Sequence, residues 1–315
     1  MDAERLLRDA RRPLCIGIGG GGDVVGALAT GESCRLYAGA EPVVGGVSWE
    51  RRPIDPLPGP RRSDEIAGAE RLAPGVLLAR PETRVESSGV RFAEARMAEF
   101  LGEPTVLVDV NEGPATLAQG LGLAAESLGC DLVVLVDVGG DALAHGDEPG
   151  LASPLCDALM LAAGARLARA GSVPVLAGVF GIGCDGELRP AEVLERLAEV
   201  GRAGGLAGWR GLTKPVVERL EDAVEAVPTE ASAQALRCFR GDFGEATIRG
   251  GRRTVELSPA GAGTAYLDPV AAVGSAARLA AAVSECADIE AGERALRDLG
   301  VRTELAFERE AAHTT

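Results

Sequence analysis

Between positions 14 and 179, short apolar, β-rich runs alternate with longer segments in which apolar residues recur every three or four positions. A chain patterned this way buries its strands on both faces, because each intervening helix must pack back over the sheet. The outcome is a series of βαβ units around a largely parallel sheet. The runs at 14–18, 35–38, 76–79, 105–110, 132–138 and 173–179 read as strands, and 24–30, 91–101, 115–128 and 154–170 as helices. Ser153 before Pro154 supplies a capping side chain followed by proline at the first helical position.

Beyond Pro190 the pattern turns mostly helical, at 191–202, 215–227 and 230–239. Gly250-Gly251 between 246–249 and 252–257 marks a hairpin, and helices at 270–283 and 290–299 follow. The expectation is an α/β fold: a Rossmann-like, mostly parallel sheet with helices on both faces, plus a smaller, mainly helical C-terminal part. Residues 1–203 are expected to form the Rossmann-like ligand-binding domain. Residues 204–315 read as a helical segment with a hairpin, packed on the first domain or completing it. The stretch 41–62 holds Pro42, Pro53, Pro56, Pro58 and Pro60 and several glycines, so it reads as a long exposed loop without a regular element. Loops of that length either cover ligands or wander over the surface.

Acids outnumber bases 47 to 32, a formal charge of -15, which argues against a nucleic-acid polymer as partner. No apolar run reaches the ~20 residues of a membrane span, and residues 1–12 are charged rather than signal-like, so a cytoplasmic protein without a membrane partner is expected. Seven cysteines without a CxxC pair form neither a disulfide framework nor a zinc module, and Cys15 and Cys156 fall in apolar settings typical of reduced, packed thiols. The single lysine, Lys214, closes no phosphate-binding loop, and GxxxxGK[ST], GxSxG and HExxH are all absent. Any chemistry must rest on carboxylates, backbone N–H groups, a metal or a cofactor.

The first strand runs into Gly19, Gly20, Gly21, Gly22 and Asp23, a turn able to present successive N–H groups to an anion. Gly17, Gly19 and Gly22 satisfy GxGxxG, and Glu41 falls near the position, ~20 residues on, of a ribose-binding acid. Asp23 reads either as a helix cap or as a contact to sugar hydroxyls or to a cation carrying phosphate. Three later strands end in acids: Asp109 with Asn111 and Glu112, then Asp137 and Asp141 on either side of Gly139-Gly140, then Asp185 and Glu187. In an open parallel sheet these ends share one edge, and Gly139 and Gly140 would leave a ligand room to approach the backbone. Carboxylates gathered there could hold a divalent cation, grip ribose hydroxyls, or divide acid and base work. His145, in the loop after Asp141, reads as a solvated loop histidine or as an acid or base.

Gly19 to Asp23, the segment VDVGGDAL (136–143), SPLCDALM (153–160) and GCDGEL (183–188) together resemble the domain-of-unknown-function family numbered 1152 over most of the chain. The resemblance implies a Rossmann-like α/β fold and names no activity. More remotely the layout is similar to the nucleotide-binding folds of sirtuins and deoxyhypusine synthase, although the histidine-centred chemistry of a sirtuin is absent.

The leading reading is an enzyme acting on a small nucleoside, nucleotide or sugar-phosphate metabolite by hydrolysis or group transfer. Asp137, Asp141, Asp185 and Glu187 are the expected catalytic acids. Gly19 to Asp23, Glu41, Asn111, Glu112, Gly139, Gly140 and His145 are the expected ligand contacts. A divalent metal or NAD(P) is the cofactor such a site admits. Two other readings stay open: an NAD(P)-binding oxidoreductase, on the strength of GxGxxG and Glu41, and a non-catalytic metabolite-binding protein. The expected partner is a small-molecule substrate, and the Ala-rich stretch 270–283 leaves room for a homodimer.

Overall fold

The computed structural model describes residues 1–52 and 54–313. Its strands are β1 (Pro13–Gly17), β2 (Val43–Val47), β3 (Ile66–Ala73), β4 (Val76–Val85), β5 (Thr105–Val108), β6 (Leu132–Val138), β7 (Val175–Phe180), β8 (Leu206–Gly211), β9 (Gly244–Ile248), β10 (Arg253–Leu257) and β11 (Gly263–Leu267). The helices are α1 (Ala3–Asp9), α2 (Asp23–Ala38), α3 (Ala93–Leu101), α4 (Pro114–Ser127), α5 (Pro154–Ala170), α6 (Pro190–Arg202), α7 (Lys214–Ala226), α8 (Glu230–Phe239), α9 (Pro269–Val273), α10 (Arg278–Val283), α11 (Ile289–Asp298) and α12 (Glu304–His313).

One nine-stranded sheet has the order β3-β4-β5-β2-β1-β6-β7-β11-β8. Its centre, β5-β2-β1-β6-β7, is parallel throughout, with Leu14 opposite Val43 and Val133, and Leu135 opposite Ala177. Chain order reverses between β1 and β6, so the topological switch point lies at the carboxyl ends of those two strands. The hairpin β3–β4 adds an antiparallel edge on β5, while β11 and β8 add antiparallel pairings beyond β7.

The strands are apolar on both sides, and alternate residues serve different cores. Leu14, Ile16, Val133 and Leu135 pack under α4, α5 and α10 with Leu121, Leu159 and Leu279. Cys15, Val44, Val134 and Val136 pack under α1, α2 and α7 with Leu7, Leu28 and Leu220. The helices thus lie on both faces, as the sequence pattern requires. Residues 204–315 give β8 and β11 to the same sheet and carry the separate β9–β10 hairpin.

The element boundaries differ from expectation in instructive places. The run at 35–38 is not a strand: α2 continues to Ala38 and ends at Gly39, which takes φ +67 and returns its N–H to Arg35. The second strand instead lies inside the stretch expected to be irregular. Val43–Val47 holds two glycines because a side chain at Gly45 would overlap the Val106 backbone, and one at Gly46 the carboxylate of Glu94. Nor is 41–62 simply exposed, since Trp49, Glu50, Asp55 and Arg61 are buried. Pro53 lies outside the described residues. The helix expected at 270–283 splits at Gly274 and Ser275, where the Ser275 hydroxyl donates to the Ala271 carbonyl and competes with helix propagation.

Candidate functional site

Over the switch point sits a cavity of about 850 Å³, within the range of small-molecule sites. Gly19 to Asp23 form one wall, beyond β1; Asp141 follows β6, Asp185 and Glu187 follow β7, and Asp157 comes from the first turn of α5. Above them stand Glu50 to Arg52 after β2, the β9–β10 turn with Arg249 and Arg252, Thr303 just before the C-terminal helix, and Glu304 and Phe307 within it.

The acids form two adjoining trios. In Asp23, Asp137 and Asp157, one ligand atom from each residue lies within 4.8 Å of the others, and the same holds for Asp141, Asp185 and Glu187. Either group could hold a cation by that measure. Asp23 does not cap α2 by its side chain; its Oδ2 accepts the Gly19 N–H at 3.0 Å, which turns the carboxylate toward the other acids. Asp137 accepts the Ala142 N–H at 3.3 Å through Oδ2, while its Oδ1 has no hydrogen-bond partner among the described residues. Asp157 Oδ1 is likewise unpartnered, and both carboxylates are only 1% exposed.

Burial disfavours the ionised forms, and the acids add to one another's cost. Asp23 is pushed up to about 8 by burial and then by Asp137, and Asp137 by burial to about 6. Asp141 and Asp157 rise well above the ordinary range, through burial first and then their carboxylate neighbours, and Asp185 through burial and then Glu187. Glu187 is the exception. Burial opposes its charge, but Arg253 at 3.0 Å, the Ser153 hydroxyl at 2.5 Å and the N–H groups of Ala152 and Ser153 outweigh burial and hold its carboxyl below the usual range. Ser153 therefore does not cap α5; its side chain is engaged by Glu187 instead.

Facing the acids are guanidinium groups. Arg51 lies over the Trp49 ring at 4.1 Å and donates to the Gly19 carbonyl at 2.6 Å. Nη1 of Arg51 and Nη1 of Arg52 are shielded from solvent and have no hydrogen-bond partner among the described residues. Glu304 accepts the N–H groups of Leu155 and Cys156 at the start of α5, and Trp49 donates to Glu308, so α12 fastens this side of the cavity.

Three of the four expected segments, 19–23, 137–141 and 183–187, meet at this cavity. The fourth does not. Asp109 takes the Ser63 N–H and hydroxyl, Asn111 bonds Asp109 and the Pro60 carbonyl, and Glu112 pairs with Arg62, so Asn111 and Glu112 anchor the 60–63 segment away from the cavity lining. Glu41 precedes β2 at the amino-terminal edge of the sheet, largely exposed and paired with Arg12, and cannot meet a ribose at the opposite edge. Glu50 does follow β2 and lines the cavity, but its Oε1 accepts the Ala93 N–H. The dinucleotide reading thereby loses the acid that supported it.

Gly139 and Gly140 leave no room for a ligand: at φ +121 and +118, the space a side chain would need is filled by Asp185 and Val193. His145 is neither solvated nor in the cavity. Its ring lies 3.3 Å from Glu199, and burial and Arg196 hold its pKa below the usual value. Sequence reasoning passed over Asp157, Arg51, Arg52, Arg252, Arg253 and Glu304. Asp157 alone carried a signal, as an acid within the apolar run of α5.

Fold and site together define an α/β protein of Rossmann strand order with a carboxylate-floored, arginine-rimmed cavity at its switch point. The family described as protein of unknown function, DUF1152, matches residues 14–312, and the chain belongs to it. No curated protein and no solved structure matches the chain. No helix among the described residues is long and apolar enough to cross a membrane.

Proposed function

We propose that the protein is an enzyme acting on a small nucleoside, nucleotide or sugar-phosphate metabolite, by hydrolysis or group transfer. One observation carries this reading: a single cavity of about 850 Å³ sets carboxylates with raised pKa values opposite guanidinium nitrogens that have no hydrogen-bond partner among the described residues. Buried donors without acceptors are costly, and a phosphate group would satisfy Arg51 and Arg52 with charge-assisted hydrogen bonds. A sugar ring would extend from there toward Asp141 and Asp185. A carboxyl whose ionisation is opposed by burial and by neighbouring carboxylates, as at Asp141, is suited to donate to a leaving oxygen, while another carboxylate lining the cavity accepts a proton from water or an incoming hydroxyl.

The test is a panel of nucleosides, nucleotides and sugar phosphates, supplied with divalent metal, screened by thermal shift and then by mass analysis of products. General acid–base catalysis contributes about 10²–10⁴ in rate, so Asp141→Asn and Asp185→Asn should lose turnover by about that factor while remaining folded. Folded variants that keep full turnover would end this reading. A ligand that shifts melting yet returns chemically unchanged would leave a binding protein in its place.

A further inference from the structure

We propose that Asp23, Asp137 and Asp157 together hold one hard divalent cation, of the Mg²⁺ or Mn²⁺ class, on the floor of the cavity. Three separate elements bring these acids together: the first turn of α2, the carboxyl end of β6 and the first turn of α5. The ligand atoms they offer lie within 4.8 Å of one another. A hard cation bonds oxygen at about 2.1 Å (Mg²⁺) to about 2.5 Å (Ca²⁺), which sets opposite ligands about 4.2–5 Å apart, so the upper limit on the trio's separations falls inside that range and a smaller ion draws the ligands in by a few tenths of an ångström.

Two further observations point to an occupant. Asp137 and Asp157, each 1% exposed, both keep Oδ1 without a hydrogen-bond partner among the described residues, and a buried carboxylate oxygen with neither partner nor water is costly. The backbone also yields to this point: a side chain at Gly19 would overlap Asp23 Oδ2 and crowd both oxygens of Asp157. Among the described residues no ion pair closes the trio: Arg51 eases the ionisation of Asp23 and Asp157 from nearby, but its hydrogen bonds go to the Gly19 carbonyl and to Glu304. The neighbouring trio differs in that Glu187 is already engaged by Arg253, Ser153 and two N–H groups, and Asp185 by the Glu187 N–H. A dication suits three converging carboxylates better than a primary ammonium, which would leave more of their charge uncompensated in a buried place. Asp23 and Asp157 line the cavity, so the cation would meet a ligand oxygen there. That last role rests on the phosphate-ester reading; cation binding does not.

The experiment titrates chelator-stripped, full-length protein with Mn²⁺ alone, following the loss of the free-ion signal by electron paramagnetic resonance. The expected result is one ion per chain, with affinity at least tenfold weaker in Asp157→Asn and in Asp23→Asn and unchanged in Glu112→Gln, an acid outside the cavity. Asp23 lies at the cavity wall, so its variant serves if Asp157→Asn does not fold. The inference is overturned if the wild-type protein binds no Mn²⁺ at millimolar concentration, if both folded aspartate variants bind it undiminished, or if methylammonium raises the melting temperature where Mn²⁺ does not. Mn²⁺ binding with no response to any nucleoside, nucleotide or sugar phosphate would sink the proposed function and leave the cation site standing. The reverse result would sink the cation site alone.

Discussion

Glu50 offers a quantitative test of how the cavity wall is built. Its carboxylate is 4% exposed, takes the Ala93 N–H, and is pushed from 4.5 to about 7 by burial, with Asp55 adding to the rise and Arg96 and Arg51 opposing it. At about 1.36 kcal/mol per tenfold change in acidity, that displacement corresponds to about 3 kcal/mol of stability withheld when the group is ionised. The direction follows from proton uptake. Below about pH 4.5 the carboxyl is protonated folded and unfolded alike, and there is no penalty. As pH rises toward 7 the unfolded chain ionises while the folded one keeps its proton, so stability falls; above about 7 the loss is complete. Glu50→Gln keeps the shape and can keep an acceptor for Ala93 while removing the charge. It also relieves Glu94, which burial and then Glu50 push in the same direction. Urea denaturation of both proteins from about pH 4 to about pH 8 should give nearly equal stabilities at the acid end and a variant more stable by about 3 kcal/mol at the alkaline end. Glu94 changes in the same direction as Glu50 and adds to the difference, while the remaining titrating groups are common to both proteins and cancel. A difference that stays flat with pH, or that widens toward acid, would refute the account.

Two further outcomes follow from the site's scaffolding. Gly139→Ala must place a side chain at φ +121 where Asp185 already stands, and should cost about 3 kcal/mol or more in chemical denaturation; a loss below about 1 kcal/mol would mean the β6 end is far more pliant than its geometry. Ser153→Ala removes the hydroxyl that donates to Glu187 Oε1 and should cost about 1.5–3 kcal/mol at neutral pH, because the acceptor is charged and buried. Glu187 titrates below its ordinary 4.5, so its contribution is present above that value and lost as pH falls through the lower folded pKa. The Ser153→Ala deficit should therefore shrink on acidification, and one that grew instead would contradict the assignment of Glu187 as an ionised anchor.

How far the site was legible depended on which contacts the chain makes with itself locally. Strand–glycine–acid endings at 137–141 and 183–187 were readable because a strand's carboxyl end fixes where the next residues go. The same reasoning placed 109–112 with them and failed, since those acids look alike along the chain and differ only in what reaches them: Ser63 and Pro60 fill the space beyond β5. Glu41 failed by counting. A ribose acid about 20 residues past the glycine loop presumes a short first helix, but α2 runs to Ala38, so Glu41 arrives before β2 rather than after it. The nine-stranded width was also hidden, because β8 and β11 are short and pair antiparallel across long separations.

The location of the cavity, by contrast, follows from connectivity. From β1 the chain passes to α2, which packs on one face of the sheet with Leu28 and Leu220; from β6 it passes to α5, on the other face with Leu159 and Leu279. Two neighbouring strands whose connections part to opposite faces leave a crevice between their ends. Asp23 and Asp157 stand at the starts of those two diverging helices, with Asp137 at the end of β6 between them. Helix amino termini stabilise negative charge, so Asp23 and Asp157 are each tolerated by their own helix, while the three acids together, with two oxygens unpartnered among the described residues, resist ionisation even with Arg51 nearby. The fold therefore brings together charge that local structure accommodates singly and leaves in excess collectively. An occupant that carries positive charge resolves that excess, and a phosphate held by Arg51 and Arg52 would stand on its open side.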